Sequence, residues 1–177
     1  MLYSYIIGCS EGWTKFNHTG KCYKYDAVKT SWEDALTACQ LATENPSSSL
    51  ASVHDKTTNE FLTSLSGGQS LAWIGGYQDD QDNWLWSDGS PFSEFWTLGL
   101  WYPNQPDNSA GKEDYLGINF DGPGLWNDFE NAYPNGRLCQ YDPGQIQIFL
   151  YHNKHHRCFG SKKLLFIWTL NEHFGNS

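Results

Sequence analysis

The chain has no Cys-x-x-Cys pair and no His/Cys cluster at metal-ligand spacing, which sets zinc aside. No run approaches the roughly 20 apolar residues of a membrane-spanning helix, so no membrane insertion is expected. An activated nucleophile, a base with its orienting partner and a phosphate-cradling loop are all missing, so an enzyme is not expected. Basic residues are scarce, 11 Lys and Arg against 20 Asp and Glu for a net charge of −9. Nucleic acid, whose phosphates demand a basic face, is excluded as a partner.

Aromatic residues are abundant: 16% of 177 residues, including nine Trp. A chain of this length makes one domain with room for extras, and large rings suit the core of a small β-rich domain. The charge is unevenly placed. Residues 1–142 carry seven basic and nineteen acidic side chains, while residues 143–177 carry four basic, one acidic and four of the six His. The break falls at Asp142-Pro143-Gly144, itself a turn signal.

Five side chains ending in a carbonyl or carboxylate oxygen gather between Gln105 and Asp128: Gln105, Asp107, Glu113, Asn127 and Asp128. No His or Cys lies among them. Hard cations take such ligands, and calcium takes about 6–8 oxygens from carboxylates, amides and water. Calcium is the expected cofactor.

Two amphipathic helices precede this stretch. Thr30-Ser31-Trp32-Glu33 reads as a capping box, followed by Trp32, Ala35, Leu36 and Cys39 on one face. Thr57-Thr58-Asn59-Glu60 reads as a second box, with Phe61, Leu62 and Leu65 behind it, Gly67-Gly68 as the stop and Asp55 as a helix-start acid. Short strands follow: Leu71–Ile74 ended by Gly75-Gly76, then Trp84–Trp86, Tyr115–Ile118 and Arg137–Tyr141. Some 35 residues from Ser90 to Gly124 hold few plausible strands, and a long irregular stretch inside a compact domain is usually functional. The expected class is α+β, with two helices, small antiparallel sheets and a long loop region bearing the oxygens.

From Cys9 to about Tyr141 the chain resembles a C-type lectin domain. The landmarks are Cys9, Gly12-Trp13, Phe16 and Cys22-Tyr23, then Ser31-Trp32, Ala35 and Cys39, then Leu50-Ala51-Ser52 with Glu60-Phe61-Leu62, and finally Trp73-Ile74-Gly75 and Trp86-Ser87-Asp88-Gly89. The resemblance implies bridges Cys9–Cys22 and Cys39–Cys139. It implies that Gln105, Asp107, Glu113, Asn127 and Asp128 are both the calcium ligands and the sugar-binding residues, with Pro106 after a cis peptide. Gln-Pro-Asp is similar to the galactose and N-acetylgalactosamine binders of the family, so the expected partners are galactose-type glycans on cell or microbial surfaces. The alternative is a lectin-like module that binds protein or ice without sugar.

Three features depart from the family pattern. Tyr115 and Asn131 stand where a second bridge is usual, no ring occurs in Asn108-Ser109-Ala110-Gly111, and Asn108 and Gln81 replace acids of an auxiliary calcium site. Loss of the bridge is expected to leave the loop more mobile, and the acids Asp79, Asp80, Asp82 and Asp114 read as a solvated loop.

Paired cysteines imply an oxidising compartment, and hence secretion into the extracellular space. Asn17-His18-Thr19 is a glycosylation acceptor motif; Asn45-Pro46-Ser47 is barred by its proline. Residues 1–8 are apolar but short and lack a positive n-region. Either the leader is missing or Met1 lies inside a truncated one, so 1–8 is expected to be a signal-peptide remnant. Residues 9–142 are the expected lectin domain and 143–177 an atypical extension. That extension, with His155-His156, an alternating Ile146–Leu150, an apolar 164–170 and Cys158, is either non-native or a dimerising segment bridged through Cys158 into a homo-oligomer.

Overall fold

The structure is a computed structural model describing residues 3–6, 8–92 and 99–148. In chain order the strands are β1 Tyr3–Ile6, β2 Thr14–Lys15, β3 Cys22–Thr30, β4 Ser49–Leu50, β5 Ala72–Gln78, β6 Trp84–Trp86, β7 Tyr115–Ile118, β8 Trp126–Phe129, β9 Asn135–Tyr141 and β10 Gln145–Ile148. The helices are α1 Trp32–Gln40 and α2 Lys56–Leu65. Contacts divide the chain into a unit of Cys9–Pro143 and a second unit of Met1–Gly8 with Gly144–Ser177. Within the second unit β1 pairs antiparallel with β10, Tyr3 opposite Ile148. Cys158, His155-His156 and the 164–170 run lie outside the described residues.

The unit of Cys9–Pro143 is built on an eight-stranded sheet in the order β2-β3-β9-β5-β7-β8, with β4 on β9 and β6 on β5. The pairing of β5 with β9 is parallel, Ala72 opposite Gly136, which makes the sheet mixed rather than wholly antiparallel. Side chains alternate across the strands, and both faces are buried. Trp73, Phe129 and Cys139 pack with Trp32, Ala35 and Cys39 of α1. Ile74, Leu116, Ile118, Trp126 and Leu138 pack with Leu62 of α2 and with Trp84, Trp86 and Leu100. Five of the seven tryptophans among the described residues are therefore core. The bridges Cys9–Cys22 and Cys39–Cys139 are formed, with Cα–Cα distances of 5.6 and 5.3 Å; the second spans 100 residues and ties α1 to β9.

Both helices lie where their apolar spacing places them, but both caps differ from the boxes read in the sequence. Ser31, not Thr30, caps α1, its hydroxyl accepting from Asp34 N at 3.2 Å. Thr30 instead ends β3, and its carbonyl accepts the Trp73 indole N–H at 2.9 Å. Asp55, not Thr57, caps α2, its carboxylate accepting from Thr58 N at 2.7 Å. An ionised acceptor makes the stronger cap, so the helix begins at Lys56 and Thr57 lies inside it. The C-terminus of α2 is a Schellman motif, with Gly68 N bonded to Thr63 O, Gly67 N to Ser64 O, and Gly67 at φ +79°.

Gly75-Gly76 does not end the strand begun at Ala72; β5 runs through both to Gln78. A Cβ on Gly75 would sit 2.6 Å from Ser87 Oγ and 3.0 Å from Leu50 O, and one on Gly76 would sit 2.6 Å from the Leu116 side chain. The glycines serve close packing of neighbouring strands rather than a turn.

Candidate functional site

The site lies on β8 and the irregular segment before β7. The Gln105–Pro106 peptide is cis. A short 3₁₀ turn over Ser109–Gly111 follows, with Asn108 at φ 43° and Ala110 at φ 57° in the left-handed region. β8 pairs with β7, Asn127 opposite Gly117 and Asp128 opposite Leu116, so two of the five predicted residues stand on regular sheet. No strand was expected at 126–129, because Trp-Asn-Asp-Phe has no alternation of apolar and polar side chains. Burial on both faces explains the strand, all four residues being buried.

The structure brings carboxylate oxygens of Asp107, Glu113 and Asp128 within 4.8 Å of one another, the one such cluster among the described residues. Asp107 is exposed, Glu113 half-buried and Asp128 fully buried. Hydrogen bonds organise the acids. Asp128 accepts from Asn108 N at 2.8 Å and Asp107 N at 3.3 Å, and Glu113 accepts from Ser109 N at 2.9 Å. Asn108 Oδ1 accepts from Glu113 N at 3.1 Å, closing the turn on itself.

Charge makes this cluster costly without a counter-ion. Burial raises the Glu113 carboxyl above its ordinary value despite the Ser109 N–H, and the nearby Asp128 and Asp107 carboxylates raise it further. Burial likewise raises Asp128, against the pull of the Asn108 and Asp107 N–H groups. The other two predicted residues carry a complementary signal. Gln105 Oε1 and Asn127 Oδ1 are shut off from solvent and accept no hydrogen bond among the described residues. Buried acceptors are normally satisfied, so two orphans at the predicted ligand positions call for a missing partner. The Asn127 amide group itself is held by the Asp128 carbonyl, which fixes which end of the side chain is the oxygen. A hard cation fits this all-oxygen donor set.

The acids of the neighbouring loop do something else. Asp79 accepts from Gln81 N, Asn83 N and the Asn83 amide, at 2.9, 2.9 and 3.1–3.2 Å, and those bonds hold its carboxyl below the usual range. It shapes its own turn. Tyr102 donates its hydroxyl to Asp121 at 2.9 Å and sets its ring edge-on to Phe120.

Two supporting residues escaped sequence reasoning. Asn59, buried in α2, accepts the Trp126 indole N–H at 2.8 Å and donates to Gly124 O at 3.0 Å, pinning the entry to β8. Asn119 donates to Ser66 Oγ and Ser70 O and accepts from Gly124 N, all at 2.9 Å. A polar residue on the buried face of an apolar helix was the available signal for Asn59; nothing local marked Asn119.

Asn131 and Tyr115, the positions of the absent bridge, tie the site to α1 without covalent chemistry. The Asn131 carbonyl accepts from Trp32 N at 3.0 Å, its side-chain oxygen from Glu33 N at 3.1 Å, and its amide donates to Glu33 Oε2 at 2.9 Å. With Ser31 on Asp34 N, the first three helical N–H groups are all satisfied. The Tyr115 ring packs 4.8 Å from that of Trp32.

An eight-stranded mixed sheet with two helices, two bridges and an oxygen-bearing segment inserted before β7 is the architecture of a lectin-like domain. The family model of the lectin C-type domain matches residues 28–141, and the chain belongs to that family. It is 33% identical to a lectin of Pleurodeles waltl, over 75% of this chain and 76% of the relative. It is 35% identical to the lactose-binding lectin l-2 of Anguilla japonica, over 69% and 71%, and 32% identical to the galactose-specific lectin nattectin of Thalassophryne nattereri, over 74% and 79%. Among solved structures it matches the C-type lectin CEL-I of Cucumaria echinata at TM-score 0.64 and 26% identity, covering 75% of this chain and 96% of that one. A herring type II antifreeze protein matches at TM-score 0.63 and 26% identity, over 75% and 97%.

Proposed function

We propose that the chain is a secreted, calcium-dependent lectin for galactose and N-acetylgalactosamine-type glycans, acting in recognition or agglutination of microbial or other cells. The observation that carries this reading is the three-carboxylate cluster, with the unpartnered oxygens of Gln105 and Asn127 carried on the same two segments. Gln105, Asp107, Glu113, Asn127 and Asp128 would hold the ion. Bound there, calcium supplies an electrophilic centre whose shell two neighbouring sugar hydroxyls complete. The protein's own groups supply selectivity: carboxylates only accept hydrogen bonds, whereas the Gln105 and Asn127 amides can also donate. The order of amide and acid around the sugar thereby selects a hydroxyl geometry, and Gln before Asp matches the axial 4-hydroxyl of galactose. Relatives named for lactose and galactose support that choice.

No ring is available in residues 108–111, and the Tyr102 hydroxyl is engaged by Asp121. Without a ring in residues 108–111 the sugar gains no stacking contact from that stretch, and agglutination would draw on several copies acting together. Two disulfides support the extracellular assignment.

The test is retention on immobilised galactose in calcium, with release by chelator or free galactose. Asp107→Ala should flow through; retention equal to the parent overturns the assignment. The antifreeze relative and the absent ring favour a second reading, a module binding protein or ice. A blank glycan array with calcium binding confirmed by calorimetry would select it.

A further inference from the structure

We propose that Asn17 is an N-glycosylation site, carrying an oligosaccharide on the turn between β2 and β3. Two asparagines precede a Ser or Thr by two residues, Asn17 and Asn45, and the structure separates them. Asn45 is followed by proline, its side-chain oxygen accepts from Ser47 N and Ser47 Oγ, and its amide donates to Asp142 O at 2.7 Å. That amide is committed. Asn17, His18 and Thr19 are instead consecutive exposed turn residues, and the Asn17 side chain makes no hydrogen bond among the described residues.

The turn is anchored from beneath, so a glycan on Asn17 stays outward once the domain has folded. Phe16 stacks on Phe61 with ring centroids 4.1 Å apart, Gly20 N bonds to Phe16 O and Phe16 N to Lys21 O, both at 2.9 Å, and the Cys9–Cys22 bridge closes the base. The bridges also demand an oxidising compartment, which in eukaryotes is where the modification occurs. The donor is a polyisoprenyl-pyrophosphate-linked oligosaccharide. The Asn17 Nδ2–C1 bond forms, the C1–O bond to pyrophosphate breaks, Nδ2 gives up one proton and the lipid pyrophosphate leaves. In the fold Thr19 Oγ1 accepts from Lys21 N at 3.2 Å and Tyr23 OH at 3.1 Å. Transfer therefore precedes closure of the hairpin, while the hydroxyl is free to engage the transferase.

Placement gives the glycan a consequence. β2 begins the sheet path and β8, bearing Asn127 and Asp128, ends it. The five strand spacings between them, at about 4.8 Å each, amount to roughly 24 Å along the sheet. The glycan lies beside β2, an edge strand of the sheet among the described residues, where sheets otherwise recruit strands, and leaves the oxygen cluster open. The inference does not rest on the sugar-binding reading, since it needs only passage through the secretory route.

The full chain, secreted from a eukaryotic cell behind a supplied leader, tests this by intact mass and by electrophoresis with and without peptide-N-glycosidase. The expected result is a heterogeneous mass above the polypeptide that collapses on treatment, with residue 17 then read as Asp by peptide sequencing. Asn17→Gln should be secreted at the bare polypeptide mass, and Thr19→Ser should keep the glycan. A parent protein secreted with no added mass, or a glycan that persists in Asn17→Gln, overturns the proposal.

Discussion

Asp128→Asn should be near neutral in chelator and destabilising in calcium. In chelator, two effects oppose. The substitution removes a charge from three carboxylates whose oxygens lie within 4.8 Å of one another. Coulomb repulsion at that distance is roughly 3.5 kcal/mol per pair at an effective dielectric of 20, and about 0.9 in bulk water. With Asp107 exposed and Glu113 half-buried, relief of about 1–2 kcal/mol is reasonable. Against it stands one weakened hydrogen bond, because an amide keeps one acceptor oxygen for the Asn108 and Asp107 N–H groups, at a cost of about 1–3 kcal/mol. The net effect without calcium is within about 1 kcal/mol of zero. In calcium at a hundred times Kd the parent gains about 2.7 kcal/mol, roughly 8–10 °C in Tm for a domain of this size. The variant, having lost a buried charged ligand, should gain little. Calorimetric melts of both proteins in chelator and in calcium give all four values. Equal destabilisation in both media would make Asp128 a structural acceptor and remove it from the ligand set. No calcium shift in the parent would sink the cation reading itself.

Three further outcomes follow from the fold. Gly76→Ala places a methyl against Leu116 and should cost about 1–3 kcal/mol in urea unfolding; an unchanged midpoint would show that β5 and β7 can separate freely. Asp88 is half-buried, which would raise its carboxyl, but hydrogen bonds from Ser90 and Ser52 and the Lys21 ammonium bring it down to about 2. Its stabilisation is present above pH 3.8 and lost as pH falls toward 2, so Asp88→Asn, with solvent screening part of the charge, should cost about 1 kcal/mol at pH 7 and progressively less in acid; a constant difference refutes the charge argument. Asn131→Ala removes the side-chain acceptor and donor that meet Glu33 at the start of α1, costing about 1 kcal/mol, and amide exchange should quicken at Glu33 before anywhere in α2.

Sequence reasoning reached furthest where the signal is local. Ligand chemistry is written in residue type, so an all-oxygen set from Gln105 to Asp128 already pointed to a hard cation. Apolar spacing locates Trp32, Ala35 and Cys39 on the buried face of α1, and the acid at Asp55 marks the start of α2 that its capping bond secures. Errors arose where the same residues admit two local accounts. Thr30 and Ser31 are equally good caps until Trp73 claims the Thr30 carbonyl from 43 positions away. Gly75-Gly76 reads as a turn unless Leu116 and Ser87 are known to approach.

What the sequence determined by itself is the kind of side chain at the site and the kind of fold: oxygen-bearing residues from Gln105 to Asp128, two amphipathic helices, a disulfide-stapled α+β domain. Only the tertiary structure decided which groups meet. It placed Asp107, Glu113 and Asp128 together while leaving Asp79 to its own turn. It also turned Asn131 from the site of a lost bridge into a cap for a helix 98 residues away. The physical reason is that hydrogen bonds and charge clusters between distant segments depend on geometry, and geometry of that range leaves no periodic trace along the chain.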